Sequence, residues 1–532
     1  MPIARAATSK RFTYPVTIAA LAFTATSAHA QSSSQQSSLE EIIVTANKRD
    51  MDQQDVAMAA SAISSERLAE LGAVRLTDLT SVVPGFNFSR TSNVNTVFIR
   101  GVGGGGRNIG FSGRTGIYLD GVYVGQPGAI DQSLVDIERV EILRGPQGTM
   151  FGRNAVSGAI NVVTCAPSDE LTSGIIANAG NFERRSLSGW ISGPLTDTVA
   201  AKLSAHSERR DGFVRNLFDG SEDIGQIDVD SIRGAVRVEP NDRLQIDISA
   251  DYTQDASLRS TLEANSSTLG SGTFDPFAPP PFVLNENDAR RREDANYGVN
   301  ATFHYGLDEH SITGISAFRK VESTRHSDND YGPLSLLFTD FDDKFEQWSQ
   351  ELRLASADDQ RFRYVIGVFG LREEATTIRT ATAGSDVVGR FPVAPNAVSA
   401  NAADITTHSF AAFAHGDLDL GESFTLSAGL RYTYEERELL FDLDGTRSGA
   451  FNIGTLRNFE DSDTESRFTP ELSASYRVAP DVLMYATYAE GFKSGGWNVD
   501  FLSRDQLTPA PGTNGTPFAF DAERVRSYEV GI

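Results

Sequence analysis

From residue 170 to residue 532 the chain alternates apolar and polar residues with a period of two, a pattern that antiparallel sheet satisfies and helix does not. Leu244, Ile246, Ile248, Ala250 and Tyr252 are interleaved with Gln245, Asp247, Ser249 and Asp251. In the same way Phe424, Leu426, Ala428, Leu430, Tyr432 and Tyr434 are interleaved with Thr425, Ser427, Gly429, Arg431 and Thr433. Neighbouring strand residues point to opposite faces, so one face is apolar throughout and the other polar or charged. The connections carry a second signal, because short and long ones take turns. Tight turns at 193–197, 240–242, 306–309, 357–360, 417–422 and 479–481 separate long polar loops near 208–228, 254–295, 321–345, 372–407, 435–467 and 492–523. Strands of about 9–11 residues, with short turns at one end and long loops at the other, suit a barrel crossing an outer membrane. A soluble sandwich or propeller has no reason to segregate its connections in this way. Strands are predicted at 172–180, 184–193, 198–207, 229–239, 243–253, 296–305, 310–320, 346–355, 362–371, 408–416, 423–434, 468–478, 482–491 and 524–532.

Composition narrows the function classes. With 47 Lys and Arg against 71 Asp and Glu, the net charge of −24 argues against a grip on nucleic acid, which draws its affinity from cations on phosphate. The single cysteine, Cys165, cannot form an internal disulfide or a cysteine-rich metal site and reads as a small buried residue. Residues 1–30 carry Arg5, Lys10 and Arg11, then a short apolar run from Val16 to Phe23, then Ala28-His29-Ala30, the form of a cleaved export signal. The apolar run is too short to span a bilayer as a helix, and no later stretch reaches that length.

The mature chain starts with a Gln- and Ser-rich tether from Gln31 to Ser38, too polar to order itself. Glu41, Ile42, Ile43, Val44, Thr45 and Ala46 then form a β-branched island cut off by Asn47, Lys48, Arg49 and Asp50. By residues alone it is either the first strand of the following domain or a segment displayed for strand addition to another protein. Residues 50–165 read as a small α+β domain. Ser64-Ser65-Glu66 starts a helix bearing Leu68 and Leu71 and ended by Gly72, and a second helical segment from Thr77 stops at Pro84-Gly85. Short strands follow, bounded by glycines and prolines. Gly101 to Gly106 fits G-x-G-x-x-G by accident, with no βαβ unit around it. His206, His304, His310, His326, His408 and His415 are scattered without ligand spacing, so no enzyme, cofactor or resident metal is expected.

The run Leu134-Val135-Asp136-Ile137-Glu138-Arg139-Val140-Glu141-Ile142-Leu143-Arg144-Gly145-Pro146-Gln147-Gly148-Thr149-Met150-Phe151-Gly152-Arg153-Asn154-Ala155, continuing to Thr164, resembles the plug signature of TonB-dependent outer-membrane receptors. Pro84-Gly85-Phe86, Ile99-Arg100-Gly101-Val102, Tyr118-Leu119-Asp120-Gly121, Gln350-Glu351-Leu352-Arg353-Leu354, Tyr488-Ala489-Glu490-Gly491-Phe492 and Tyr528-Glu529-Val530-Gly531 support it. The resemblance spans essentially all the mature chain. It implies an all-β transmembrane antiparallel barrel with an N-terminal α+β plug inside its lumen, in the outer membrane of a Gram-negative bacterium. The expected parts are a signal peptide at 1–30, a tether with the TonB box at 31–49, a plug at 50–165 and a barrel at 170–532. It further implies that Glu41 to Ala46 are the box, which pairs with the periplasmic domain of TonB, and that plug arginines Arg100 and Arg144 pair with wall glutamates, Glu529 among them. Arg90, Arg107 and Arg114 lie in Gly- and Asn-rich stretches expected to face outward, where they would meet an anionic ligand.

Plugged transporter barrels have 22 strands and about fourteen are read here, so the chain is expected to be a C-terminally truncated form, unable to insert as a working transporter alone. The expected cargo is a small molecule such as a metal chelate, first of all a ferric siderophore. Cobalamin, an oligosaccharide or an aromatic compound stand as alternatives, as does a non-transporting remnant. The Phe- and Pro-rich stretch from Phe274 to Phe282 is a candidate for stacking on a ring.

Overall fold

The computed structural model describes residues 43–73, 75–90, 95–104, 108–125, 136–258, 282–288, 291–330, 332–449, 452–509 and 515–532. The export signal, the tether, Glu41, Ile42, Arg107 and all of the 274–282 stretch but Phe282 lie outside them.

All fourteen predicted wall strands are present, in one sheet whose spatial order follows the chain from Thr172–Gly180 to Glu523–Gly531. Every pairing between neighbours is antiparallel. The alternation read from the sequence is the alternation of faces. Along Phe424–Asp444, Leu426, Leu430, Tyr432 and Tyr434 are exposed while Arg431, Thr433, Glu435 and Arg437 are buried. Cross-strand aromatic pairs line the apolar face: Phe318 with Trp348 at 4.6 Å, Tyr432 with Phe468 at 4.8 Å and Tyr488 with Tyr528 at 5.1 Å. No helix among the described residues is long and apolar enough to cross a membrane.

The strands differ from the prediction in length. His310–Asp328, Leu337–Ser356, Phe362–Ala383, Val398–Asp419, Phe424–Asp444 and Thr455–Ala479 run far into stretches read as long loops. Ladder pairing needs only main-chain partners, so it continues where the outward residues turn polar and the apolar alternation ends, as at Arg372, Glu374, Glu436 and Glu438.

The plug packs against the buried face of this sheet. Its five-stranded sheet has the order Ala60–Ser64, Ile137–Arg144, Gly158–Thr164, Thr115–Leu119, Val122–Tyr123, with Gly158–Thr164 parallel to Thr115–Leu119. A second sheet joins Phe86–Arg90, Asn95–Ile99 and Val102–Gly104. Helix Ser65–Leu71 is capped by the Ser64 hydroxyl, which accepts from the Arg67 N–H, and ends on Gly72 at φ +62°. The second helical segment is a 3₁₀ turn, Leu76–Ser81. One apolar core runs from plug residues such as Leu79, Ile99, Val140 and Ile160 into wall residues Val321, Phe345, Ile405 and Phe441. Residues 42–532 hold together as one unit.

The N-terminal island does have a local partner. Ile43–Ala46 pairs antiparallel with Arg49–Asp52 across a turn at Asn47 and Lys48, both left-handed at φ +52° and +61°. That is the two-residue hairpin turn in which both central residues need positive φ, a conformation Asn tolerates. Read only as an interruption, Asn47-Lys48 concealed the pairing.

Candidate functional site

The functional candidates lie where plug meets wall, and the hairpin occupies the end that carries the short turns. Val44 is fully buried, packed with Val56, Met51 and Met58. The Thr45 hydroxyl donates to Glu141 Oε1 at 3.1 Å, and Glu141, itself fully buried on Ile137–Arg144, also accepts from Arg139 Nε at 2.8 Å and Asn161 Nδ2 at 3.1 Å. Lys48 donates to both carboxylate oxygens of wall residue Glu351, at 3.0 and 2.8 Å, with each side chain 7% exposed, and stands over the Phe151 ring. Burial lowers the Lys48 pKa from its ordinary value, with Glu351 opposing. Arg49 donates to the carbonyls of Ser356 and Tyr364, each at 2.8 Å, and pairs with Asp358 in a short turn. Asp55 pairs with Arg477 at 2.5 Å.

Above the hairpin, Arg100 pairs with Glu529, whose other oxygen accepts from the Tyr485 hydroxyl at 2.6 Å and the Ala59 N–H at 3.2 Å. Arg144 stands nearby but does not share the carboxylate. Its Nη2 donates to Ser61 Oγ at 2.8 Å and its Nε is buried without a hydrogen-bond partner. Burial and then the neighbouring Arg100 charge lower its pKa, while Glu529 opposes. The pairing of Arg144 with a wall glutamate is therefore not found among the described residues.

Farther from the short turns, Arg153 reaches Glu435 at 3.0 Å and Glu373 at 3.5 Å, all three side chains nearly buried. Burial alone would lower the Arg153 pKa, but the two carboxylates outweigh it and raise it. Arg114, expected to meet ligand, is instead held by Glu523, Nε and Nη2 donating at 2.8 and 2.7 Å. Arg90 ends Phe86–Arg90, and its side chain lies outside the described residues, as does Arg107.

Beside these pairs the outer end of the plug makes apolar contacts. Gly110 lies so close to the Trp497 carbonyl that a Cβ there would be 1.9 Å from it, and Phe111 stacks on Phe520 at 4.8 Å. Trp497, 1% exposed, donates to Asp461 at 2.8 Å. Cavities of about 410 and 450 Å³ flank the hairpin, the first bordered by Lys48, Arg139, Arg233 and Arg237, the second by Arg49, Asp417, Asp419 and Glu471.

Sequence reasoning missed Glu351, Asp358, Glu373, Glu435 and Glu523 as partners of the plug. Each is an acid on or beside a wall strand, but a strand pattern cannot say which cation of a distant segment it meets. Glu351 sits in the Gln350-Glu351-Leu352-Arg353-Leu354 segment singled out above, which was the available signal.

Comparison with known proteins agrees with this anatomy. The family described as TonB dependent receptor-like, beta-barrel matches residues 210–532, and the TonB-dependent Receptor Plug Domain matches 52–159. The pesticin receptor of Yersinia pestis is 25% identical over 529 residues, covering 97% of this chain and 71% of the relative. Among solved structures, the ferric yersiniabactin uptake receptor FyuA of Yersinia pestis superposes with a TM-score of 0.74 at 21% identity, over 89% of this chain and 69% of that one. The siderophore receptor PiuA of Acinetobacter baumannii gives 0.71 at 15% identity, over 90% and 70%. At these identities the structural likeness speaks for the fold.

Proposed function

Because the chain belongs to the TonB-dependent receptor family of the Gram-negative outer membrane, we propose that it takes up a ferric siderophore, driven by TonB through the segment Glu41 to Ala46. The observation that carries the reading is the plug seated against the wall, with its N-terminal hairpin at the short-turn end. The cargo is inferred from the relatives, whose names include a pesticin receptor and a ferric yersiniabactin uptake receptor. In this reading the tether and box occupy 31–49, the plug 50–165 and the wall 170–532.

The mechanism follows from the contacts. A wall wide enough to hold a folded domain leaks if empty, so the plug stoppers it and has to be remodelled for cargo to pass. The outer membrane has no ATP, and the work comes from the inner-membrane gradient, worth ~2.3 kcal/mol per charge per 100 mV. An extended segment binds a partner sheet edge to edge through its main chain, which suits a pull along its axis. A pull on the segment works first against its pairing with Arg49–Asp52 and the packing of Val44. The pull then arrives at the plug strand Ile137–Arg144 through Thr45 on Glu141. Arg100 on Glu529 is assigned the role of a plug-to-wall lock that this pull opens, with Arg144 as a neighbour that raises the local positive charge.

Uptake of ⁵⁵Fe-siderophore by cells lacking other receptors, with the native chain and with Val44→Pro, tests the proposal. Proline removes a main-chain donor from the box. Energised uptake should fall to the level of cells without TonB. Equal uptake by the two forms would remove the energised mechanism.

A further inference from the structure

The two cavities that flank the N-terminal hairpin differ in sign. Around the one of about 410 Å³ five cations, Lys48, Arg139, Arg233, Arg237 and Arg353, face three acids among the described residues. Glu351, which holds Lys48 and Arg353, lies outside that lining. Around the one of about 450 Å³ the described acids number seven, Asp417, Asp419 and Glu471 among them, against Arg49, Arg363, Arg477 and His415.

The first cavity runs along the wall from Arg237, Asp247 and Thr302, near the short turns, and its far end is closed by one turn of the plug. That turn is Asp120-Gly121, the two-residue tip between Thr115–Leu119 and Val122–Tyr123, at φ +50° and +77°. Arg233 Nη2 donates to Asp120 Oδ2 at 2.6 Å and to Ser249 Oγ at 3.0 Å, and its other end lies 3.8 Å from Asp251. Asp120 also accepts from the Thr164 N–H at 2.8 Å and the Thr164 hydroxyl at 3.0 Å. Past the tip, Val122 packs with Ile315 and Ala317, and the Gln347 amide donates to the Tyr123 carbonyl at 2.9 Å.

The polarity of this fastening is unusual. Lys48, Arg100, Arg114 and Arg153 bring plug cations to wall acids. At Asp120 on Arg233, as at Asp136 on Lys202, the plug brings the acid and the wall the cation. An anion arriving at the tip can therefore take the place of Asp120 without leaving a bare charge on the wall, whereas a wall glutamate only repels it. Asp120 tolerates the exchange, being 20% exposed and still bonded to Thr164.

We propose that an anionic metal chelate passes between plug and wall through the first cavity, displacing Asp120 from Arg233 and then resting on Arg233 and Arg237, while the acidic cavity excludes it. The inference rests on the uptake reading above and adds to it the charge of the cargo and its route. Withdrawal of the hairpin widens the lane, since Thr45 and Lys48 are part of its lining.

The test uses the purified full chain in detergent at low ionic strength, with Cys165→Ser and one new thiol, Thr302→Cys in the first cavity or Ser475→Cys in the second. Each is labelled with sulfonatoethyl methanethiosulfonate, an anion, and with trimethylammonioethyl methanethiosulfonate, a cation. Measured against free cysteine, the anion should be favoured at least about threefold at the Thr302→Cys thiol and the cation by as much at the Ser475→Cys thiol. Gallium(III) EDTA, a redox-silent anionic chelate, should slow labelling of the first thiol and not the second, and cobalt(III) hexammine, a cation, should not protect the first. Asp120→Asn keeps a residue that tolerates the left-handed turn and releases Arg233, so it should deepen the protection, and Arg233→Gln should abolish it. If Arg233→Gln does not fold, the charge preference of the two thiols decides the matter. Equal preference at both thiols, or protection that survives Arg233→Gln, overturns the proposal. None of these readouts needs TonB or uptake, so the route can fail while Val44→Pro still abolishes uptake, and stand where it does not.

Discussion

The two ends of the plug are fastened to the wall by different physics. At the short-turn end the fastenings are charges, Lys48 buried against Glu351 and the buried Arg49 guanidinium on the Ser356 carbonyl and on the exposed Asp358. At the long-loop end close packing, Gly110 under Trp497 and Phe111 on Phe520, and a half-exposed ion pair, Arg114 on Glu523 at 33% and 42% side-chain exposure, join the buried pairs of Arg75 with Glu208 and Asp255. A buried pair is nearly all-or-none, since removing one partner strands the other in a dry site. Packing and exposed pairs give way by degrees. The difference suits an end that is pulled and an end that accommodates cargo.

The largest effect is expected from Lys48→Met. The change leaves Glu351 with Arg353 as its ion-pair partner at 3.2 Å, and should destabilise the plug by about 3 kcal/mol, the low end for a broken buried pair, seen as a lower denaturant midpoint and as ingress of large antibiotics into cells. Adding Glu351→Leu should restore part of the loss, because two apolar side chains replace the buried pair at little cost while Arg353, 15% exposed, loses its partner. If the single change is worth less than about 1 kcal/mol, the contrast between the ends fails. Next comes Gly110→Ala, which forces a methyl into the Trp497 carbonyl and should cost about 1–3 kcal/mol, with the quenching of Trp497 fluorescence altered. Arg114→Gln should change stability by only about 0.2–1 kcal/mol and should become silent at high salt, as befits a partly exposed pair; a loss as large as that of Lys48→Met would erase the distinction.

The smallest effect concerns the linker joining plug to wall. Cys165 is half-buried beside the Lys202–Asp136 pair, and burial pushes its thiol up to about 11. The neutral thiol is therefore favoured, and reactivity is lost as pH falls below that value. At pH 8 about one thiol in a thousand is ionised, so alkylation should run at least about 100-fold slower than in the unfolded chain and rise about tenfold per pH unit to pH ~10. Rapid alkylation at pH 8 would mean that the linker opens freely.

How far the molecule was legible follows from which interactions are local. Each of the fourteen wall strands carries its own alternation, and Gly72 ends its helix by a single left-handed residue, so these were readable one segment at a time. Strand ends were not, because Phe362–Ala383 and Val398–Asp419 extend each other by main-chain pairing that leaves no apolar trace. The hairpin was missed because the left-handed turn at Asn47-Lys48 is only weakly encoded by its residue types. Arg114 was assigned to ligand because a glycine-rich context suggests exposure, and nothing near it in sequence points to Glu523.

What the residue pattern alone determined is the sheet, its two faces, its order and the globule that precedes it, since period and punctuation are properties of short stretches. Only the tertiary structure decided which charge meets which. Lys48 finds Glu351 across 303 positions, and Arg114 finds Glu523 across 409. Such meetings depend on registers accumulated strand by strand and on the depth at which the plug sits, quantities that no local window contains.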